Sequence, residues 1–249
     1  MRTPLLAGNW KMFKNVKESV ELVNGLKAAL ADVKNREILV CPSFTTLTSV
    51  FDVIKNSNIK LGAQNLFWES KGAFTGEVSP GMIAEVGCSY VLIGHSERRQ
   101  FFGETDATIN KKIFAAFALG LKPIVCVGET LQERESDKTL EVLKTQLTNG
   151  LAGLSAEQAK MIVIAYEPVW AIGTGKTATT QQAQDAHAFI RKVYEEMYGK
   201  DAAALTRILY GGSVKPDNIA ELMKQPDVDG GLVGGASLDV ASFTKIVKY

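Results

Sequence analysis

Apolar residues along the chain form short runs, each ending in a polar or glycine-rich turn and followed by an amphipathic stretch. Most of these runs are continuously apolar and do not alternate with polar residues, which is typical of parallel strands covered on both faces. The pattern therefore predicts eight strands. The eight runs begin at Pro4, Glu37, Lys60, Tyr90, Lys122, Met161, Arg207 and Gly230.

The stretches between the runs carry apolar residues at three- and four-residue spacing, which predicts amphipathic helices. The clearest cover residues 16–30, 107–119, 140–151 and 183–198. No low-complexity segment or linker interrupts the series, so we expect residues 1–249 to form a single domain.

Eight strand–helix units predict an α/β fold in which the strands close into a (β/α)8 barrel. An open, doubly wound sheet would use the same units and is the alternative. In a barrel, functional residues lie at the C-terminal ends of several strands. Polar residues and glycines follow the predicted strands in this way, and closure would bring them to one rim. They are Asn9, Lys11, His95, Glu97, Glu167, Ser213, Gly234 and Gly235.

Charge and composition exclude several classes of partner. The 249 residues include 28 basic and 27 acidic residues, so nothing in the charge favours a nucleic-acid or membrane partner. The apolar run at 113–121 falls short of the ~20 residues that span a bilayer. The N-terminal apolar stretch is too short for a signal peptide. Cys41 and Cys126 lie in strand-like runs, so we expect buried, reduced thiols and a cytoplasmic protein.

Glu167 stands at the end of a predicted strand, within AYEPVWAIGTGK at 165–176. Pro168 favours an extended backbone for the residue before it, so Glu167 should still lie on the strand. Its apolar neighbours should partly desolvate the carboxylate, and desolvation strengthens it as a base. A solvated glutamate in an ion pair at the rim is the alternative.

His95 lies at another strand end, directly before Ser96, a residue type that often caps helices. The positive end of the following helix would disfavour imidazolium, which predicts a neutral ring able to donate a hydrogen bond. A structural histidine is the alternative. His187, the second of the two histidines, has no strand-end context, so we expect it on a helix surface.

Lys11 and the glycine-rich turns are candidates for anion binding. An ammonium at Lys11 would hold an anionic substrate, with Glu97 as its expected partner, although an ordinary surface lysine would look the same. The turns YGGSV and GGLVGGAS follow strands seven and eight, where many barrels bind phosphate. The segment GTGKT at 173–177 lacks the first glycine of a phosphate-binding P-loop, because residue 170 is Trp. No metal-binding motif is present, so no cofactor is expected.

One base, one neutral electrophile, one cation and a phosphate site suit proton abstraction next to a carbonyl. These residues therefore predict a cofactor-free aldose–ketose isomerase. Two alternatives remain at this point. One is another phosphate-binding barrel, such as a lyase or an isomerase for larger sugar phosphates. The other is a non-catalytic phosphate sensor.

The sequence also resembles the triosephosphate isomerase family nearly from end to end. The resemblance implies a TIM barrel that interconverts dihydroxyacetone phosphate and D-glyceraldehyde 3-phosphate through an enediolate, without a cofactor, in glycolysis and gluconeogenesis. The motifs that carry it are GNWKM (8–12), GAFTGE (72–77), GHSERR (94–99), AYEPVWAIGTGK (165–176), YGGSV (210–214) and LVGGASL (232–238).

Motif positions imply roles for individual residues. Glu167 resembles the family's base, and His95 resembles the electrophile that moves protons between the substrate oxygens. Segment 168–178 resembles a closing lid, with Tyr210 and Ser213 as its latches. The resemblance implies substrate contacts, largely through backbone N–H groups in the case of the phosphate. These contacts are Asn9, Lys11, Gly173, Ser213, Gly234 and Gly235.

The loop at 72–79 resembles the segment that interdigitates between two subunits of this family. The resemblance therefore implies a homodimer in which Thr75 reaches the neighbouring active site. Phe13 departs from the family pattern, because many relatives have asparagine there. It follows the NWKM motif and lies beyond the expected substrate contacts, so we expect little effect on activity.

Overall fold

The computed structural model of the chain describes residues 2–173 and 177–249. Its eight parallel strands close into a barrel in sequence order. The first strand pairs with both the second and the last, which excludes the open sheet and confirms the predicted (β/α)8 barrel. The strands are β1 (Leu5–Asn9), β2 (Glu37–Cys41), β3 (Ile59–Ala63), β4 (Tyr90–Ile93), β5 (Lys122–Val127), β6 (Val163–Tyr166), β7 (Arg207–Tyr210) and β8 (Gly230–Val233).

Helices surround this barrel. Within the described residues they are α1 (Val16–Leu30), α2 (Leu47–Ile54), α3 (Pro80–Glu85), α4 (Ser96–Phe102), α5 (Asp106–Ala118), α6 (Leu131–Glu135), α7 (Thr139–Gly150), α8 (Ala156–Ala159), α9 (Thr180–Tyr198), α10 (Lys200–Leu205), α11 (Ile219–Leu222) and α12 (Val240–Val247). Short 3-10 turns cover Phe44–Thr46, Val169–Ala171 and Gly235–Leu238. None of the helices in 2–173 and 177–249 combines the length and apolar character that crossing a bilayer requires.

The four long helices lie where apolar spacing predicts them, with small shifts at their ends. The helix predicted from residue 183 is α9, which begins at Thr180 because Thr179 caps it. The Thr179 hydroxyl accepts a hydrogen bond from the backbone N–H of Gln182, and the Gln182 side chain accepts one from the backbone N–H of Thr179. Such a capping box satisfies N–H groups that have no partner within the helix. Apolar periodicity does not register these polar first-turn residues.

Each strand divides its side chains between the barrel interior and the surrounding helices. The inward set forms one buried cluster: Leu5, Ala7, Leu39, Cys41, Tyr90, Leu92, Ile124, Cys126, Val163, Ala165, Leu209 and Leu232. The alternate residues pack in a second cluster with the helices, and Tyr166 and Tyr210 belong to it. Cys41, Cys88 and Cys126 are all buried and free, as expected for Cys41 and Cys126. Burial raises the pKa of the Cys88 thiol to about 12, which keeps it protonated.

The two ends of the barrel carry different chemistry. At the N-terminal end of the strands, Arg207 donates to Glu37 over 2.6 Å and to the hydroxyl of Tyr90 over 2.9 Å, which ties three strands together. The residues singled out from the sequence lie at the opposite, C-terminal rim. In barrels of this kind the C-terminal rim is where chemistry occurs, while the other end serves stability.

Candidate active site

A cavity of about 390 Å³ opens at the C-terminal rim of the barrel. It brings together side chains and turns that are far apart in sequence, because the ends of β1, β4, β6, β7 and β8 meet there. Glu97, the expected partner of Lys11, and Tyr210, the expected latch of the lid, are not among its lining residues. The predicted site residues that line it are Asn9, Lys11, His95, Glu167, Gly173, Ser213, Gly234 and Gly235.

Glu167 directly follows β6, and its backbone N–H donates to the carbonyl of Val127 over 2.8 Å. Its side chain is almost completely buried. One carboxylate oxygen lies 2.9 Å from Nε2 of His95, and the other accepts the backbone N–H of Ser96 over 2.8 Å. Burial raises the pKa of Glu167, but His95 and Ser96 outweigh it and leave the pKa below its usual value. The predicted strengthening of this base by desolvation is therefore offset in this arrangement.

His95 is itself the N-cap of α4, whereas the sequence suggested Ser96 for that position. Its Nδ1 accepts the backbone N–H of Glu97 over 3.2 Å. A nitrogen that accepts carries no proton, so the ring proton sits on Nε2, facing Glu167. Burial lowers the pKa of His95, but the Glu167 carboxylate outweighs it and raises the pKa above its usual value. Without the Glu167 carboxylate beside it, burial and the helix end would favour a neutral ring.

Lys11 is held in position on both its backbone and its side chain. Its ammonium lies 2.5 Å from the Glu97 carboxylate, the partner expected from the sequence. Its φ of 53° is in the left-handed region, which is unusual for lysine. Its backbone N–H donates to the Asn9 side chain over 3.0 Å, and its carbonyl accepts from Gln64 over 2.8 Å. Such strain persists only where surrounding contacts enforce it, so Asn9 and Gln64 fix the backbone of Lys11 while Glu97 holds its ammonium.

The glycine-rich turns after β7 and β8 leave space in different ways. A Cβ on Gly211 would lie 2.9 Å from Cγ of Glu167, so only glycine lets the carboxylate approach this turn. A Cβ on Gly235 would meet no atom of residues 2–173 and 177–249 within 4 Å. The turn after β7 thus packs tightly on Glu167, while the turn after β8 borders space that would accommodate a ligand.

Glu129 holds the first part of segment 168–178, and the sequence reading did not single it out. It is fully buried. One carboxylate oxygen accepts from the Tyr166 hydroxyl over 3.1 Å, from Nε1 of Trp170 over 2.9 Å and from Arg134 over 3.0 Å. Glu129 follows β5 in CVGET, so its strand-end position is the signal that would have identified it.

The rest of the predicted lid is described only in part. Thr174, Gly175 and Lys176 lie outside the described residues. Gly173 has a φ of 68° and lines the cavity. Burial raises the pKa of Tyr210 to about 12, although the nearby backbone of Ala178 lowers it. Among the described residues, the Tyr210 hydroxyl makes no hydrogen bond of normal geometry.

The structure corrects two expectations about single residues. Phe13 is 56% exposed and lines the mouth of the cavity, so it is closer to the site than its sequence position suggested. His187 is fully buried and does not lie on the helix surface. With Ala183 and Ile190 it forms the face of α9 that packs on the barrel. Its spacing of four and three residues from these neighbours places it on the buried face.

Comparison with known proteins gives one consistent result. The family model for triosephosphate isomerase matches residues 4–249. The triosephosphate isomerase of Endomicrobium trichonymphae is 64% identical over 249 residues, covering 100% of this chain and 99% of that protein. The corresponding protein of Geobacter metallireducens is 59% identical over the same length, covering 100% and 99%.

Solved structures agree with the sequence comparison. The crystal structure of triosephosphate isomerase from Bartonella henselae superimposes with a TM-score of 0.89 at 42% sequence identity, covering 98% of this chain and 97% of that one. Fold, sequence and the family model thus point in the same direction over nearly the whole length. The chain belongs to the triosephosphate isomerase family.

Proposed function

We propose that the cavity at the C-terminal rim is the active site and that Glu167 and His95 carry out the proton transfers. The chain is an enzyme that interconverts dihydroxyacetone phosphate and D-glyceraldehyde 3-phosphate. One observation supports the role assignment above all. A buried carboxylate and a buried imidazole lie 2.9 Å apart in the cavity that Lys11 also lines.

Substrate binding in this proposal relies on charge and on the backbone. Lys11 supplies a cation for the phosphorylated substrate, and Asn9 fixes the backbone of Lys11. Gly173, Ser213, Gly234 and Gly235 present backbone N–H groups to the phosphate, which glycine permits because no side chain blocks the approach. Glu97 orients the ammonium through its ion pair.

The reaction then proceeds by proton transfers at two carbons and two oxygens of the substrate. Glu167 takes a proton from the carbon that bears the hydroxyl group, and the electron pair moves towards the carbonyl oxygen to give an enediolate. The Nε2–H of His95 and the Lys11 ammonium stabilise the negative charge on that oxygen. His95 exchanges protons between the two oxygens, and Glu167 returns its proton to the neighbouring carbon.

Glu167 must leave its contacts with His95 and Ser96 before it can act as the base. Both contacts stabilise the anion, so losing them raises the pKa of the carboxylate and makes it a stronger base. Segment 168–178 acts as a lid whose apolar residues cover the site and exclude water. Glu129 and Trp170 hold the start of this lid in the present arrangement, and Tyr210 and Ser213 act as latches on closure.

A homodimer completes the proposal. The loop at 72–79 projects from the surface and is braced internally, since Phe74 packs on Phe67 with ring centroids 4.7 Å apart. Large apolar side chains are also exposed elsewhere on the surface, and exposed apolar patches mark interaction sites. Met12 is 95% exposed and Phe102 is 68% exposed. The loop would carry Thr75 to the neighbouring site.

The extent of the domain and the cellular compartment are also inferred from the fold. We infer one (β/α)8 domain over residues 1–249, because the strands run from Leu5 to Val233 in one closed barrel and α12 packs back on α1. We also infer a cytoplasmic protein, because buried free thiols suit a reducing compartment.

The test of this proposal is a coupled assay of triose phosphate isomerisation on the purified protein. Tetrose and pentose phosphates in the same assay separate it from an isomerase for larger sugars. Efficient turnover of the triose phosphates alone is the expected result. Tight binding of triose phosphates without turnover would instead favour a phosphate sensor and contradict the assigned roles.

A further inference from the structure

His187 is a buried titratable residue that the reaction does not use. Its ring lies against the two tyrosines that end β6 and β7. The ring centroids of His187 and Tyr166 are 5.8 Å apart with the planes at 89°, and those of His187 and Tyr210 are 6.4 Å apart at 34°. The two tyrosines are register partners on adjacent strands, so the imidazole packs against a pair of neighbouring rings.

The imidazole is fixed from its other side. Nδ1 of His187 lies 3.1 Å from the backbone carbonyl of Asp227, which can only accept, so Nδ1 carries the proton. Asp227 is itself held by two residues of α9. The Gln184 amide donates to its carboxylate over 2.7 Å, and Arg191 donates over 2.5 Å. The ring therefore has one orientation, set by a rigid anchor.

The remaining ring nitrogen has no partner within the described part of the chain. Nε2 of His187 is buried and makes no hydrogen bond there. Burial lowers the pKa of His187 to about 4, so the ring is neutral near pH 7. An unpartnered polar atom in the interior is destabilising, and an apolar side chain would avoid that cost. Packing stability alone therefore does not explain why position 187 is a histidine. A need for a ring whose orientation is fixed by the Nδ1–H hydrogen bond does explain it.

The two tyrosines serve opposite ends of the lid. The Tyr166 hydroxyl donates to Glu129, which also accepts from Trp170 near the start of the lid. The Tyr210 hydroxyl lies beside the backbone of Ala178 at the end of the lid. We propose that His187 is a positioning residue that fixes both tyrosine rings and so couples the two ends of the lid. This inference rests on the proposed lid at 168–178.

The test compares His187→Gln and His187→Phe with the native enzyme. A lid that closes poorly lets the enediolate expel its phosphate, which yields methylglyoxal and inorganic phosphate. We expect both variants to raise the methylglyoxal fraction and to lower kcat by roughly tenfold, less than the ~10²-fold that a 1 Å misplacement can cost. KM should change less than kcat, since the proposed phosphate contacts at Ser213, Gly234 and Gly235 lie outside the lid. Ile190→Val, a buried change on the same face of α9, is the matched control.

Coupling gives a second readout. If His187 acts through Tyr210, the effects of Tyr210→Phe and His187→Gln should not be independent. The double variant should then raise the methylglyoxal fraction by less than the product of the increases in the two single variants. The proposal is overturned if the His187 variants keep the native kcat and methylglyoxal fraction, or if the two changes combine independently. If Tyr210→Phe alone leaves the methylglyoxal fraction unchanged, the lid proposal itself fails, which distinguishes the two failures.

Discussion

Nε2 of His95 lies 2.9 Å from a carboxylate oxygen of Glu167, so the two proposed catalytic groups contact each other in the free enzyme. The contact stabilises the glutamate as an anion, with the Ser96 N–H on its other oxygen. In the proposed reaction, substrate separates the pair, because each group then acts on a different part of the substrate. The ground state therefore keeps the base ionised and the histidine proton on the correct nitrogen before substrate arrives.

The Glu167→Gln variant should lose nearly all turnover and remain folded. The amide has the same shape and still accepts from Ser96, but it cannot take a proton. We expect kcat to fall by about 10²–10⁴-fold, the usual contribution of a positioned acid or base. Steady-state kinetics and circular dichroism measure the two effects. Glu195→Gln makes the same chemical change on the exposed surface of α9 and should be silent, and native-like turnover in Glu167→Gln would contradict the base assignment.

The Lys11→Ala variant should chiefly impair the use of phosphorylated trioses. Removing the ammonium leaves Glu97 without its partner and the substrate without a nearby cation. We expect kcat/KM to fall by about 10²–10³-fold, as when one group that stabilises transition-state charge is lost. Lys17→Ala, on the exposed face of α1, is the matched control. An unchanged affinity for a phosphorylated substrate analogue in Lys11→Ala would remove Lys11 from the binding site.

Much of this architecture was predictable because parallel strands leave a strong pattern. The eight apolar runs predicted eight strands, and the barrel followed from the polar residues that end them. The same strand-end criterion selected Glu167 and His95 and should have selected Glu129. Glu129 was missed because it belongs to no recognised motif, and its contacts with Tyr166, Trp170 and Arg134 become visible only in the fold.

Other features required coordinates. Nothing in the local sequence shows that Lys11 adopts a positive φ, or that Gln64, directly after β3, holds its carbonyl. The pKa direction of Glu167 depends on two N–H donors from another strand end, so burial inferred from its neighbours was insufficient. Helical spacing could have placed His187 inside, but its lack of a strand-end context led to the prediction of a surface position.

The dimer predicts a sedimentation mass near twice the 27.0 kDa of one chain. Thr75→Arg should shift the protein towards monomers, because it places a bulky charge at the tip of the loop expected to enter the partner. Activity should fall together with the dimer fraction as the protein is diluted. Leu205→Arg changes a residue that is 57% exposed at the far end of the barrel and should leave the mass unchanged. A stable, fully active monomer would contradict the proposed interface.

Burial of His187 predicts that stability falls on mild acidification. Its pKa is about 4 in the folded protein against a usual 6.5, so below pH 6.5 the unfolded chain takes up a proton that the folded protein refuses. The stability that the neutral His187 contributes is present above pH 6.5 and is lost as the pH falls towards 4. Between pH 7 and pH 5 this linkage amounts to about 2 kcal/mol in the free energy of unfolding.

Glu167 and His95 also make the stability depend on pH, but in a different pH range or in the opposite direction. Glu167, whose pKa is lowered, contributes stability above its usual pKa of 4.5, and this contribution is lost only at more acidic pH. His95, whose pKa is raised, contributes in the opposite direction, because its stabilisation is present at low pH and lost as the pH rises. Both effects are shared by the native protein and by His187→Phe, so the difference between these two proteins isolates His187.

Urea unfolding at pH 7 and pH 5, at one protein concentration, measures that difference. The fixed concentration matters because subunit association also contributes to apparent stability. Between pH 7 and pH 5 the free energy of unfolding should fall by about 2 kcal/mol more in the native protein than in His187→Phe. The reason is that phenylalanine cannot take up a proton in the unfolded chain. Equal losses in the two proteins would mean that His187 is solvated and titrates normally in the folded state. That result would also remove the buried, neutral ring on which its positioning of Tyr166 and Tyr210 depends.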